Sequence, residues 1–145
     1  MLNALPAPNP EWAPRWCTPS LSATTRGPDI TDFAASMLRA SRGFRVGEPL
    51  IFTEWQSWLT DRIFETNPET GLLKHRTGLI LLPRKNGKSL TGTSYALEHM
   101  VFGPEGAQVY SAAGDRAQAR IVFGEARQQV LNNPMLSRIV KVYRD

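Results

Sequence analysis

The sequence predicts an α/β fold: a parallel sheet with helices on both faces, of which this chain carries only the first two or three strands. Three observations predict it. Residues 78–82 (Gly-Leu-Ile-Leu-Leu) form a short continuous apolar run, the pattern of a strand covered on both faces. After a polar loop, residues 89–102 contain no proline and read as helix. Residues 107–112 (Ala-Gln-Val-Tyr-Ser-Ala) then read as a second strand. Strand, helix and strand in that order imply a right-handed βαβ unit.

The totals set bounds on this reading. A chain of 145 residues has room for one domain at most. With 41% hydrophobic and 21% charged residues it has an ordinary globular composition, not that of a disordered chain. A net charge of +4 suits an anionic partner without specifying one. Cys17 is the only cysteine, which excludes an intrachain disulfide and a thiolate zinc cluster and fits a reducing cytoplasm. No apolar run approaches the ~18 residues of a membrane span, and the N-terminus lacks the basic and apolar regions of a secretory signal.

Residues 1–28 read as an extended arm, because Pro6, Pro8, Pro10, Pro14, Pro19 and Pro28 preclude helix interior and central strand. Trp12 and Trp16 are its large anchors; the alternative is a disordered tail. Residues 29–145 form the body. A short helix is expected over 30–42, with Phe33, Met37 and Leu38 on one side and Gly43 as its stop. A second helix is expected over 53–66, where Trp55, Trp58, Leu59 and Ile63 repeat as a buried face and Asn67-Pro68 ends it. Residues 72–77 read as a hairpin or strand approach carrying a basic Lys74-His75-Arg76 cluster. Residues 115–131 give the longest helix, ended by Asn132-Asn133-Pro134, with Ala119, Val122, Phe123, Ala126 and Val130 on one arc. Arg116, Arg120 and Arg127 fall within about 40° of one another on its border. Three aligned arginines either track phosphates or bury their stems and solvate their heads. Residues 139–143 begin a possible third strand.

The chemistry sits in the loop before the third helix, Pro83-Arg84-Lys85-Asn86-Gly87-Lys88-Ser89. A strand, a loop ending in Gly-Lys-Ser/Thr and a helix are how P-loop proteins hold a nucleotide's phosphates. Backbone N–H groups converge on the anion, and the helix dipole favours negative charge there. Lys88 would reach the β- and γ-phosphates of ATP, and the Ser89 hydroxyl would sit on Mg²⁺. The full pattern asks for glycine at position 82, where this chain has Leu82. The competing reading is an ordinary turn with a lysine near a helix start. Gln56 has two readings as well. Its amide closes a capping box with Thr53, or, having both donor and acceptor, it reads an adenine edge.

These residues resemble the ATPase part of tailed-phage terminase large subunits, the motors that package DNA into procapsids. Residues 83–89 look like that family's P-loop, in which the first glycine is commonly absent. Glu54-Trp55-Gln56 resembles its adenine-contacting segment. Tyr110-Ser111-Ala112-Ala113 and Asp115-Arg116-Ala117-Gln118-Ala119 resemble its second strand and following helix, and Arg15-Trp16-Cys17-Thr18-Pro19 resembles its start. The resemblance implies a P-loop NTPase of three αβα layers. It also implies adenine recognition by Gln56, and Arg84 as the arginine that senses the γ-phosphate or stabilises transition-state charge. Arg84 as a solvent-facing loop residue is the alternative. Implied partners are double-stranded DNA, a portal protein and a small terminase subunit, in a homo-oligomer within the host bacterial cytoplasm.

One departure matters. Hydrolysis of ATP needs an acidic strand end for Mg²⁺ and a carboxylate that orients water. After Ser89 the acids are Glu98, Glu105, Asp115, Glu125 and Asp145, and none follows a four-residue apolar run. The nuclease domain of the family is not visible in the sequence either. The chain is therefore expected to be the N-terminal part of an ATPase domain and inactive alone. A non-catalytic remnant, or another P-loop enzyme such as a nucleoside kinase, is the alternative. A partial sheet is also expected to expose apolar surface at residues 79–82 and Val109.

Overall fold

A computed structural model describes residues 24–41 and 45–143. Most of the proline-rich arm, with its tryptophans and the Arg15-Trp16-Cys17-Thr18-Pro19 segment, lies outside the described residues, as does Gly43. The described residues are mixed α/β, in the order β1 (Thr24–Thr25), α1 (Gly27–Met37), α2 (Glu54–Ile63), β2 (Glu65–Thr66), α3 (Lys88–Phe102), α4 (Arg116–Asn132) and α5 (Pro134–Ile139). They divide into two compact units. One comprises the described part of Met1–Asp32 with Ile51–Leu81, and the other comprises Phe33–Leu50 with Leu82–Asp145.

In the first unit, β1 and β2 pair antiparallel with Thr24 opposite Thr66 and Thr25 opposite Glu65. The Thr25 hydroxyl donates to the Asp61 carbonyl at 2.7 Å and accepts from the Gly27 N–H at 3.0 Å. That bond satisfies a free donor at the start of α1. The helix therefore begins three residues before the expected Ile30, with Pro28 tolerated in its first turn. Gly27 permits the crossing with α2, since a Cβ there would lie 2.0 Å from Asp61 Oδ1 and 2.7 Å from Asp61 Cα. Ile30 and Thr60 are fully buried, whereas Trp55, Trp58, Leu59 and Ile63 are only partly covered.

Helix α2 stops at Ile63, short of the expected Thr66, because the Glu65 and Thr66 backbones pair with β1 and with the next segment. Thr66 bridges Leu73, the Lys74 N–H donates to the Glu65 carbonyl at 2.8 Å, and Gly71 turns the chain at φ 69°. Of the hairpin or strand approach expected over 72–77, only a turn closed by the single Thr66–Leu73 bridge forms. The buried Glu65 carboxylate receives Lys74 Nζ at 3.3 Å and His75 Nε2 at 3.1 Å, so two of the three clustered basic residues turn to an internal acid.

Burial raises the Asp61 carboxyl above its ordinary value of 3.8. A raised carboxyl pKa means that the folded chain binds this proton more tightly than the unfolded chain does. Asp61 therefore disfavours folding at neutral pH, and the penalty is relieved as pH falls towards its pKa. Asp61→Asn is expected to raise the melting temperature at pH 7, with a gain that shrinks on acidification. Thermal melts of both proteins between pH 7 and pH 4 check this, and a variant less stable at pH 7 would contradict it.

In the second unit, α1 ends at Met37 where a helix to residue 42 was expected. The following backbone pairs elsewhere: Leu50 N–H donates to Leu38 O at 3.1 Å, Ala40 N–H to Glu48 O at 2.9 Å, and Arg39 bridges Pro49. Helices α3 and α4 lie side by side, with the Thr93 hydroxyl donating to the Val122 carbonyl at 3.4 Å. The core consists of Phe33, Ala34, Leu38, Leu50, Leu97, Val130 and Leu136. Of the predicted arc on α4 only Val130 is fully buried, and Phe123 remains exposed. Asn133 begins α5 by accepting from the N–H groups of Met135 and Leu136, and Pro134 occupies the first turn. Residues 134–139 are thus helical, and the third strand expected from 139 does not form among the described residues.

The two strands expected at 78–82 and 107–112 carry no ladder either. The sole sheet among the described residues is the two-stranded β1–β2 pair. A strand is completed by a partner backbone, which an apolar run cannot supply by itself. Of the exposure expected at residues 79–82 and Val109, Leu79 is 83% exposed, Leu81 81% and Val109 42%, while Ile80 and Leu82 are partly covered.

Candidate functional site

Residues 83–87 lead into α3 through two left-handed positions, Lys85 at φ 70° and Gly87 at φ 72°. Alternating left-handed residues turn backbone N–H groups inward into a concavity that suits an anion. Glycine adopts this conformation freely. At Lys85 it costs about 1–2 kcal/mol. Gly87 is also the N-cap of α3, its carbonyl accepting the Thr91 N–H at 2.9 Å. No side chain caps this helix start, so the first-turn N–H groups have no partner from the cap residue.

Lys88 opens α3 and folds back over the loop. Its Nζ donates to the carbonyls of Leu82 and Pro83, each at 2.6 Å. Asn86 Nδ2 donates to the same Pro83 carbonyl at 3.4 Å. The ammonium is thereby held against the loop by backbone oxygens, while the side chain stays exposed. The hydroxyl of Ser89, the next residue, is a hard oxygen donor. That fits Mg²⁺, which keeps several waters and takes few protein oxygens beside phosphates.

A cavity of about 690 Å³ opens here, lined by Arg84, Lys85, Gly87, Lys88, Ser89 and Leu90, together with Ser41 and Glu125. Its size lies within the roughly 300–1,000 Å³ of small-molecule sites. The structure thus brings together Arg84, Lys85, Gly87, Lys88 and Ser89, with Pro83 and Asn86 in the same loop. Arg84 lines the cavity. Gln56 is in the first unit, three residues into α2. Its Oε1 accepts from the Thr53 N–H at 2.9 Å and the Thr53 hydroxyl at 3.0 Å, so the capping interaction is formed.

Two cavity residues escaped the sequence reading, Ser41 and Glu125. Ser41 lies in an irregular segment with no motif. Glu125 is separated by a helical turn from Gln129, whose Nε2 donates to Glu125 Oε1 at 3.3 Å. That i, i+4 spacing was the only local signal. Arg116 and Arg120 are exposed on α4 and Arg127 is partly covered. No helix among the described residues is long and apolar enough to cross a membrane.

The family model described as "Terminase large subunit, ATPase domain" matches residues 54–144. Among solved structures, the large terminase of bacteriophage HK97 is similar, with 26% identity and a TM-score of 0.65 over 84% of this chain. The chain spans 24% of the length of that protein. A search of curated proteins found no match. The family match covers well over half of the residues and includes the loop, helices α3 and α4 and every cavity-lining residue except Ser41, and by it this chain belongs to the terminase large subunit ATPase domain family.

Proposed function

We propose that this chain is the N-terminal, ATP-binding portion of a phage DNA-packaging motor, its body beginning at β1 and α1 rather than at residue 29. The observation that carries this is the loop at 83–89. It has two left-handed turns, a lysine folded across it and a helix start without a side-chain cap, all beside a cavity of nucleotide size. The loop N–H groups would cradle the phosphates of ATP, with Pro83, Lys85, Asn86 and Gly87 setting the path of the backbone. Lys88 would turn from the Leu82 and Pro83 carbonyls to the β- and γ-phosphates. Ser89 would offer its hydroxyl to Mg²⁺, which when bound neutralises charge on the phosphates. Arg84 lines the cavity with a planar guanidinium suited to bridging γ-phosphate oxygens as charge develops. Gln56 would read the adenine edge, exchanging its capping bonds with Thr53 for bonds to the base.

The segments at 78–82 and 107–112 would become central strands of a three-layer αβα sheet when further strands of a longer protein pair with them. Their exposed leucines and valine support this, being apolar surface that a completed sheet would cover. The whole motor would act on double-stranded DNA, with Arg116 and Arg120 as candidate phosphate contacts. It would engage a portal protein and a small terminase subunit as a homo-oligomer in the host bacterial cytoplasm.

Within residues 1–145 no apolar run leads into an acidic pair, so this stretch should bind nucleotide without turning it over. Titration with a fluorescent ATP analogue and a phosphate-release assay on the same preparation test both halves of the reading. Binding with no release above background is the expected result. Lys88-dependent release would overturn the claim of catalytic incompleteness, and no binding would remove the site itself.

A further inference from the structure

The phosphate cavity contains a group that a simple anion site does not call for. Glu125 lines it together with Arg84, Lys85 and Lys88. It is held there. Gln129 Nε2 donates to Glu125 Oε1 at 3.3 Å and to the Arg39 carbonyl at 2.6 Å, while Gln129 Oε1 accepts from the Arg39 N–H at 2.8 Å. Gln129 is itself only 3% exposed. The carboxylate is thus tethered through a buried amide to the backbone beyond α1, and it sits half-buried on a packed helix.

We propose that Glu125 is a specificity-determining residue that makes this site take the divalent-metal complex of a nucleoside triphosphate and disfavour the bare polyphosphate. The inference rests on the nucleotide-binding reading above and deepens it. A fixed carboxylate repels an uncomplexed triphosphate bound within a few ångströms of it, well inside the Debye length of about 8–10 Å. Complexation with Mg²⁺ removes two of the nucleotide's negative charges, and metal-bound waters are donors that a carboxylate accepts from. The same side chain therefore opposes one form of the ligand and tolerates or aids the other. The three basic residues attract both forms and cannot make that distinction alone.

The test is a set of titrations of the 1–145 chain with mant-ATP and mant-ADP, each in excess Mg²⁺ and in excess chelator, for wild type and Glu125→Gln. The glutamine keeps an oxygen for Gln129 and removes the charge. The expected result is that Glu125→Gln tightens metal-free mant-ATP about tenfold, the scale of one opposing charge in such a site. Mant-ADP should gain less, and affinity in Mg²⁺ should change little or weaken. A merely structural role would shift all four titrations alike. Glu125→Ala provides the same reading should the glutamine variant fold poorly, as judged by circular dichroism. An unchanged ratio of Mg²⁺ to metal-free affinity in the folded variants overturns the proposal. If wild type binds in a Lys88-dependent manner while that ratio is unmoved, this inference alone fails. If wild type shows no Lys88-dependent binding, both readings fall together.

Discussion

Lys88→Ala is expected to weaken ATP binding by roughly 30- to 150-fold, because a charge-assisted contact to phosphate is worth about 2–3 kcal/mol. The same variant should fold almost normally. Lys88 is exposed and its two bonds go to the Leu82 and Pro83 carbonyls at the loop surface, where water can replace the ammonium. Binding and stability are thus separable at this residue, which is unusual for a side chain that begins a helix. Lys88→Arg sharpens the test. It retains the charge, but a planar fork does not reproduce a compact ammonium held between two carbonyls at 2.6 Å. Arginine is expected to recover only part of the affinity. Parallel titrations and urea melts of the three proteins decide the matter. Equal affinity in wild type and Lys88→Ala would show that the loop does not hold phosphate.

What was legible in the sequence follows the range of the interactions involved. Helix α4 was placed to within one residue at each end because its signals are local. Asp115 accepts the Gln118 N–H at 2.9 Å, and Asn133-Pro134 breaks the run. The same local chemistry acts twice at Asn133 and Pro134, which end α4 and also begin α5, and the second role leaves no separate mark in the sequence pattern. The box between Thr53 and Gln56 was legible for the same reason. The loop at 83–89 drew attention through Gly87, Lys88 and Ser89, whereas its left-handed Lys85 carried no signal, since glycine is the usual residue in that conformation. Pairings between distant segments were not readable. The end of α1 depends on Leu38 and Ala40 meeting residues 48–50, and the end of α2 on β2 meeting β1. The apolar run at 78–82 shows the converse: the pattern suggests a buried strand, yet the run joins no sheet among the described residues and Leu79 and Leu81 are exposed.

Gln129 carries the largest expected stability effect, and it is a residue whose polar character gave no hint of burial. Helices α4 and α1 are far apart in sequence, yet the Gln129 amide satisfies both the N–H and the carbonyl of Arg39. Removing it strands two backbone groups beneath a side chain that is 3% exposed. Each buried group left without a partner costs about 1–3 kcal/mol, so Gln129→Met is expected to destabilise the chain by roughly 2–4 kcal/mol. Methionine has nearly the same length and helix propensity as glutamine, which leaves the lost hydrogen bonds as the cause. The adjacent Gln128 supplies the control. It is exposed, and its amide donates at 2.8 Å to Asn132 one turn on. Gln128→Met should therefore alter stability by no more than about 0.5 kcal/mol. Urea unfolding of the two variants, identical in composition and neighbouring in position, isolates the buried network. Similar losses in both would mean that the tie between α4 and residue 39 contributes nothing, and Glu125 would then lose the anchor that holds it in the cavity.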